Sequence, residues 1–265
     1  MHDGNDQSQP VTDGGAASVL KKTQLILSAF DGGRPKLGLT ALARRAGLNK
    51  TTTYRLAQEL AELGFLDRVD SEYQLGWRIF ELGQLVPAAA RLRQIARPIM
   101  VDLQSATRAA LHLMVPRGLE VLCVESLAGR NDSAAQAMAG TRAPMCYTAS
   151  GKLFLAYDDH REQALEQLDQ WAPLTRHSVQ SAGQLRSQMP EIRARRWSQE
   201  HEERMEGRKS LAVPITLWDS QNIVAALSVT VGVTRRDDPT VLKFLVSAAA
   251  DISRRLRTGN VQATW

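Results

Sequence analysis

The sequence predicts an α+β protein in which a small winged helix-turn-helix unit, a linker helix and a larger unit with an antiparallel sheet follow one another. Three observations support this prediction. Residues 40–66 contain two short helical patterns separated by Gly47. Residues 78–97 carry apolar residues at helical spacing. Beyond residue 98, short β-like runs mix with helical patterns without regular alternation, which favours an antiparallel sheet over a parallel one.

Length and composition are those of an ordinary globular protein. The 265 residues are 43% hydrophobic and 23% charged, enough for one or two domains with a proper core. No apolar run approaches the roughly 18 residues of a membrane span, and residues 1–18 lack the hydrophobic region of a signal peptide. We therefore expect a disordered leader over 1–18 and a cytoplasmic location.

Residues 19–77 carry the local signals of a winged helix-turn-helix. Apolar residues at 19, 26, 27 and 30 predict a first helix. Thr40 is the expected N-cap of the second helix, Gly47 its stop, and Asn49 the N-cap of the third. A hairpin is predicted next, with strands at 65–66 and 73–75 and a turn at 69–72. The third helix is expected to bury a stripe formed by Leu56, Leu60 and Leu63.

The third helix has the character of a DNA-recognition helix. In a helix-turn-helix the second helix of the pair lies in the major groove, and residues 34–58 contain six basic and no acidic residues. The first-turn amides of Lys50, Thr51 and Thr52 are expected to face a phosphate. A helix pair of this kind can also be a packing element only; the basic stretch and the hairpin favour DNA. The predicted DNA-binding residues are Arg44, Arg45, Lys50, Thr51, Thr52, Tyr54 and Arg55.

A linker helix is predicted over residues 78–97. Its apolar face is formed by Ile79, Phe80, Leu82, Leu85 and Val86, and Pro87 is expected to kink or break it. An apolar face on a connecting helix is usually buried against another chain. We therefore expect a dimer contact here.

Residues 98–257 form the predicted second domain, followed by a tail over 258–265. Strands are expected at 109–115, 121–126, 134–138, 210–217 and 223–231, and helices at 150–157, 161–168 and 239–256. Pro190 is expected to shorten a helix over 185–195. The last helix is expected to point Leu242, Leu245, Val246, Ala249 and Ile252 inward.

The remaining chemistry-bearing residues predict no catalytic, metal or cofactor site. Cys123 and Cys146 lie in apolar surroundings and are expected to be buried small hydrophobes rather than a disulfide. The five histidines show no paired ligand spacing, and the chain has no phosphate-binding glycine loop and no nucleophile elbow.

Three segments together resemble the IclR (isocitrate lyase regulator) family of transcriptional regulators, over residues 19–256. They are the helix-turn-helix with its Leu-Gly-Phe-Leu exit at 63–66, the run 140–145 leading into 148–152, and the run 210–215 followed by 225–230. Each segment alone is weak evidence for the resemblance, but the order and separations of the three together are specific to the family.

The resemblance implies a winged helix joined to a GAF-like effector domain. It also implies a homodimer or a dimer of dimers on double-stranded DNA with a palindromic operator. The expected effector is a small molecule, commonly a carboxylate or aromatic catabolic intermediate. Members of the family repress or activate, and the sequence leaves that choice open.

The effector pocket is expected where small residues at 148–152 lead into a helix, since the amides there suit a carboxylate. Ser228 and Thr230 lie two apart on one strand and face the same side. The resemblance also places an acidic residue ahead of the Ser210 strand, and Glu200 holds that position. The predicted effector-binding residues are Ala149, Ser150, Gly151, Glu200, Ser210, Ser228 and Thr230, while Lys152 is expected to pair with a surface carboxylate.

Two other functions stay open at this point. Ser150, His201 and Glu200 could form a hydrolytic set in an enzyme anchored to DNA by the helix-turn-helix. Alternatively, the second domain could only dimerise, which would give a DNA-binding protein without a ligand. Serine and threonine on a half-buried strand are often core residues, and the run at 200–203 could be a solvated charged segment.

Overall fold

The computed structural model describes residues 18–129, 139–159, 161–167, 172–217, 223–235 and 238–258. The chain divides into two compact units, Met1–Val86 and Pro87–Trp265. The predicted leader up to residue 17, the strand at 134–138 and the tail from 259 lie outside the described residues, as do residues 218–222 between the predicted strands at 210–217 and 223–231. Among the described helices, none is both long and apolar enough to cross a membrane.

The first unit combines four helices with a small sheet. Its elements are α1 (Val19–Leu27), β1 (Lys36–Gly38), α2 (Leu39–Ala46), α3 (Lys50–Glu62), β2 (Leu66–Val69), β3 (Glu72–Leu75) and α4 (Trp77–Gln84). The strands lie in the order β1-β3-β2 and all pairs are antiparallel. The sequence predicted the β2–β3 hairpin but not β1, which adds to it along β3.

The turn between α2 and α3 follows the local signals. Gly47 adopts the left-handed conformation at φ 66° and ends α2. Asn49 caps α3, and its side-chain oxygen accepts a hydrogen bond from the Thr52 amide at 2.8 Å. Both predictions are confirmed.

Two details of this unit were predicted wrongly. Gly38, not Thr40, precedes α2, so Thr40 lies in the first turn of the helix. Leu63 is 64% exposed, because α3 ends at Glu62 and turns away from the core there. The buried stripe instead begins one turn earlier with Thr53 and continues through Leu56, Ala57 and Leu60.

The second unit is built on a six-stranded antiparallel sheet in the order β6-β5-β4-β9-β8-β7. Its elements are α5 (Pro87–Thr107), β4 (Ala110–Arg117), β5 (Glu120–Leu127), β6 (Arg142–Pro144), a 3-10 turn (Met145–Tyr147), α6 (Ala149–Tyr157), α7 (Arg161–Gln167), α8 (Ala182–Arg195), β7 (Ser198–His201), β8 (Arg208–Thr216), β9 (Ile223–Gly232) and α9 (Asp238–Thr258). The β8–β9 pair and the α9 helix were predicted; β7 was not.

Both faces of this sheet are covered, which explains why β9 is buried along nearly its whole length. Leu227 and Val229 point to the face packed by α5 and α9, which we call the outer face. Ala226 lies in a second apolar cluster on the opposite face, with residues of α6 and α8; we call this the inner face. Because side chains alternate along a strand, Ser228 and Thr230 also point to the inner face.

The linker predicted over 78–97 breaks into two helices at Pro87, as expected, since α4 ends at Gln84 and α5 begins at Pro87. The course of the chain at Pro98 differs from the prediction. The α5 helix continues through Pro98, with Ala96 and Met100 fully buried on either side. The stabilisation from this packing offsets the free-energy cost of the backbone hydrogen bond that a proline cannot donate.

The last two differences concern α8 and α9. Pro190 lies inside α8, which stays continuous over 14 residues. On α9, Val246 is 47% exposed, whereas Leu245, Ala249 and Ile252 are buried as predicted.

We expect Gly151→Ala to destabilise the second unit. A Cβ at this position would lie 2.2 Å from the Cα and carbonyl oxygen of Met145, so the 3-10 turn or α6 would have to move. Overpacking of this kind costs about 1–3 kcal/mol, and urea unfolding measures it. Gly183→Ala in α8 is the matched control, because its Cβ would have no atom nearer than 3.8 Å; a gain of up to about 1 kcal/mol is expected there. Equal stability of both variants would contradict the tight packing of α6 on Met145.

Candidate functional site

The exposed face of α3 presents a polar and basic surface. Lys50, Thr51, Tyr54 and Arg55 are exposed and Thr52 is half-buried. Positions four apart lie one above the other on a helix, so Lys50 aligns with Tyr54, and Thr51 with Arg55. The residues predicted from the sequence for this helix therefore share one surface.

The side chains on this face are held only weakly. Arg55 pairs with Glu59 at 2.7 Å, one turn along the helix, and the Tyr54 hydroxyl accepts a hydrogen bond from Gln58 at 2.9 Å. The Arg55 side chain is 61% exposed, and an exposed pair of this kind contributes only about 0.3–0.5 kcal/mol. A phosphate or a base edge can therefore replace Glu59 at little cost.

The amino end of α3 offers fewer amides than predicted. The Thr52 amide is taken by the Asn49 side chain. The amides of Lys50 and Thr51 have no hydrogen-bond acceptor within the described residues. Two amides, rather than three, are thus available to an anion beside the Lys50 ammonium group.

The two arginines of α2 have different surroundings. Arg44 is exposed and makes no ion pair within the described part of the chain. Arg45 donates from Nε to the Ala29 carbonyl at 2.6 Å, and its Nη2 pairs with Asp31. The hydrogen bond from Arg45 lowers the pKa of Asp31. The structure therefore gives Arg45 a role in holding α2 to the segment after α1.

A small polar cavity lies between α6, the connection from β7 to β8, and the inner face of the sheet. Its volume is about 30 Å³. Six of the seven predicted effector-binding residues line it, together with five residues that were not predicted: Ala149, Ser150, Glu200, Ser210, Ser228 and Thr230, then His112, Met114, Ala143, Thr148 and Arg204.

Strand register brings the polar residues of this cavity together. Glu200 on β7 is the partner of Ser210 on β8, which is the partner of Thr230 on β9. The Ser210 hydroxyl donates to the Glu200 carboxylate at 2.6 Å and lies 3.1 Å from the Thr230 hydroxyl. We call these three residues the polar row. Ser228 faces the same cavity, and its hydroxyl lies 3.4 Å from the His112 carbonyl.

Gly151 does not line the cavity. Thr148 caps α6, and its hydroxyl accepts a hydrogen bond from the Gly151 amide at 3.1 Å. Because Gly151 has no side chain, α6 packs closely against the backbone of Met145. The first-turn amides with no acceptor among the described residues are those of Ala149 and Ser150.

The unpredicted lining residues had little signal in the sequence. His112 and Met114 lie two apart on β4, so they face one side, but only the pairing with β9 shows which side that is. Arg204 belongs to a charged run that could have been wholly solvated. Instead, Glu200 and Glu203 of that run are 3% and 8% exposed.

Burial controls the chemistry of Glu200. Removal from water raises the pKa of this carboxyl, while hydrogen bonds from Ser210 and the backbone amides of Glu203 and Arg204 act against the rise. Glu203 raises it further by charge repulsion. The neutral acid is thus favoured at a higher pH than usual, and Glu200 can act as donor or acceptor.

Lys152 pairs with a buried rather than a surface carboxylate. Its side chain is 1% exposed, and Nζ contacts the Glu203 carboxylate and, at 3.0 Å, the Gln188 amide oxygen. This ion pair connects α6 to the turn after β7.

The cysteines behave as buried apolar residues. Cys123 and Cys146 are buried in the inner-face cluster, as predicted. Burial raises the pKa of each thiol to about 11, so both are protonated near neutral pH.

A larger cavity, of about 320 Å³, lies at the outer face. Apart from Arg117, its lining is apolar, with residues such as Leu92, Val115 and Val224. A binding site for a polar ligand needs several converging polar groups. The smaller cavity with the polar row is therefore the better candidate, despite its size.

Sequence comparison identifies the family. Residues 85–254 match the family described as bacterial transcriptional regulator IclR C-terminal, and residues 19–70 match the IclR helix-turn-helix domain. The chain belongs to the IclR family. It is a DNA-binding transcriptional regulator controlled by a small-molecule effector.

Full-length relatives agree with this assignment. The chain is 31% identical over 248 residues to the glycerol operon regulatory protein of Streptomyces griseus, covering 91% of this chain and 96% of the relative. It is 29% identical over 238 residues to the regulator XynR of Escherichia coli, covering 87% and 94%. An IclR homolog from Microbacterium hydrocarbonoxydans, solved with 4-hydroxybenzoate, is 28% identical with a TM-score of 0.82, covering 91% and 100%.

For this IclR-family chain, we expect Arg55→Ala to lower operator affinity about 10- to 100-fold, because it removes an exposed cation from the face of α3 that we expect to meet DNA, while the buried stripe stays intact. A gel-shift titration measures the change. Arg78→Ala is the matched control, since Arg78 forms a comparable exposed pair with Glu81 on α4, outside this face. Equal operator affinity of both variants would refute the assignment of α3 to the groove.

The raised pKa of Glu200 predicts a pH dependence of stability. From the ordinary value of 4.5 up to its raised folded-state pKa, the folded chain keeps a proton that the unfolded chain releases. The free energy of unfolding should therefore fall as pH rises through this window, and Glu200→Gln should remove that part of the slope. Urea titrations at several pH values measure it. Glu206→Gln, at an exposed carboxylate paired with Arg176, should leave the slope unchanged; an unchanged slope in Glu200→Gln would contradict the role of burial.

Proposed function

We propose that this regulator binds a palindromic operator as a homodimer or dimer of dimers in the cytoplasm, and that a small organic acid in the inner-face cavity controls that binding. The observation that carries the effector half of the proposal is the polar row of Glu200, Ser210 and Thr230 beside the unbonded amides of Ala149 and Ser150. Donors and acceptors then converge on one small space.

The surface of α4 supports self-association. Trp77 and Phe80 of α4 are 73% and 58% exposed, Leu85 directly after the helix is 73% exposed, and no residue of α4 is buried. Trp77 and Phe80 stack edge to face with their ring centres 6.1 Å apart. Contiguous exposed apolar surface of this kind marks an interaction site, and a symmetric dimer matches a palindromic operator.

The cavity restricts the effector. A cavity that binds benzene measures about 150 Å³, whereas this one measures about 30 Å³. A two- or three-carbon acid therefore needs only a small displacement of the walls, and an aromatic acid such as the 4-hydroxybenzoate found in the Microbacterium homolog needs a larger one. In either case, effector entry moves α6 or the turn after β7, which is a route to a change in DNA binding.

The hydrolase alternative lacks its geometry. Glu200 and His201 are neighbours on β7, so their side chains point to opposite faces, and His201 is exposed while Glu200 is buried. The Glu200 carboxylate is engaged by Ser210 rather than by a histidine. This arrangement supports a binding pocket without catalysis.

Binding to DNA flanking its own gene, compared with scrambled DNA of equal length over a salt series, tests the DNA-binding half. Lys50, Arg44 and Arg55 would each contact phosphate or base, so we expect specific binding that weakens steeply with salt. Equal weak binding to both DNAs would place the operator elsewhere.

Linkage between effector and operator tests the regulatory half. An effector that weakens operator binding must itself bind the operator complex more weakly by the same factor, roughly 5- to 150-fold. Calorimetric titrations of an organic acid into free and operator-bound protein measure that factor. Identical affinities would contradict control by that acid, whereas the absence of binding by any acid would favour a DNA-binding protein whose second unit only dimerises.

A further inference from the structure

Arg204 is the one arginine or lysine that lines the inner-face cavity, among the residues the structure describes. It lies in the connection between β7 and β8, and it is half-buried. A guanidinium group in such a place carries a full charge in partly desolvated surroundings. An opposite charge stabilises it there, because part of its hydration has been lost.

The acidic residues around Arg204 have other partners. Glu200 accepts from Ser210 and Glu203 pairs with Lys152. The two remaining carboxylates of the turn are also engaged: Glu202 accepts from the Gly207 amide at 2.7 Å, and Glu206 lies 3.6 Å from Arg176. The Arg204 side chain makes no hydrogen bond or ion pair within the described residues.

The guanidinium group of Arg204 acts towards the sheet rather than only towards solvent. Its charge influences the Cys123 thiol, where it opposes the effect of burial. Cys123 lies on β5 opposite Met114, and Met114 lines the cavity. The positive charge of Arg204 is therefore close enough to β5 to act on the Cys123 thiol.

The backbone that carries Arg204 is held firmly. The Thr175 and Ser178 hydroxyls donate to the carbonyls of Glu202 and Glu203, at 2.6 and 2.7 Å. The amide of the preceding residue, Glu203, donates to the Glu200 carboxylate at 3.0 Å. The position of the residue is fixed while its charged end is left uncommitted, which is the arrangement of a ligand-binding arginine.

We propose that Arg204 pairs with the carboxylate of the effector and sets the preference of this pocket for organic anions. The polar row of Glu200, Ser210 and Thr230 then receives a hydrogen-bonding group elsewhere on the same molecule. The inference rests on the proposed function, in which this cavity holds the effector.

Matched acids and amides test the proposal on the full-length protein. The probes are 4-hydroxybenzoate, benzoate, pyruvate and propionate, each titrated calorimetrically beside its neutral amide. We expect the wild-type protein to prefer at least one acid over its amide. Arg204→Gln should lower the affinity for that acid roughly 10- to 150-fold and leave the amide affinity nearly unchanged, because a charge-assisted hydrogen bond is lost with the acid only.

Two further variants separate direct contact from other effects. Arg204→Lys should retain part of the preference, since it keeps the charge but loses the two-pronged geometry. Arg176→Gln is the control: it removes an exposed cation beside the same turn, from a residue that does not line the cavity, and it should leave the ratio of acid to amide affinity unchanged. Circular dichroism and thermal unfolding check that each variant is folded.

The outcomes distinguish this inference from the proposed function. An unchanged acid preference in folded Arg204→Gln would overturn the role of Arg204, as would a wild-type protein that binds none of the four acids. Acids that bind through Arg204 but leave operator affinity unchanged would support the contact and contradict regulation through this cavity.

Discussion

The buried ion pair between Lys152 and Glu203 is the contact on which the pocket depends. Lys152 lies in α6 and Glu203 in the turn after β7, so the pair joins two walls of the cavity. Each charge has left water and is compensated by the other, and removing one partner of such a pair typically costs about 3–5 kcal/mol. The α6 helix and the turn must therefore stay together, and Gln188 draws α8 into the same contact.

The polar row can be buried because strand pairing brings its hydrogen-bonding groups next to one another. Glu200, Ser210 and Thr230 would each be costly to bury alone, but register places them side by side, so that they hydrogen-bond with one another. On β9 the outer face is apolar from Ala225 to Val231 and packs on α5 and α9. One sheet thus carries an apolar face that packs on helices and a face whose polar residues line the cavity, separated by the alternation of side chains.

Three arginines show that residues of one type differ in their interactions when their surroundings differ. Arg45 is committed to Ala29 and Asp31 and holds the first unit together. Arg55 has only an exposed pair with Glu59 on the surface of α3. Arg204 has its backbone fixed and its guanidinium group uncommitted. Composition and net charge do not distinguish these cases, since the difference lies in which acceptors the fold brings near.

The sequence by itself determined the features that depend on residues within a few positions of one another. The stop at Gly47, the cap at Asn49 and the β2–β3 hairpin follow from local backbone preferences, and the order of three segments identified the family. Tertiary structure alone decided the continuity of α5 through Pro98, the addition of β1 and β7, and the place of Arg204 in the cavity. The physical reason is the separation along the chain over which each kind of interaction acts. Capping and turn energies act over about four residues, whereas burial, strand register and charge compensation depend on residues that only folding brings together.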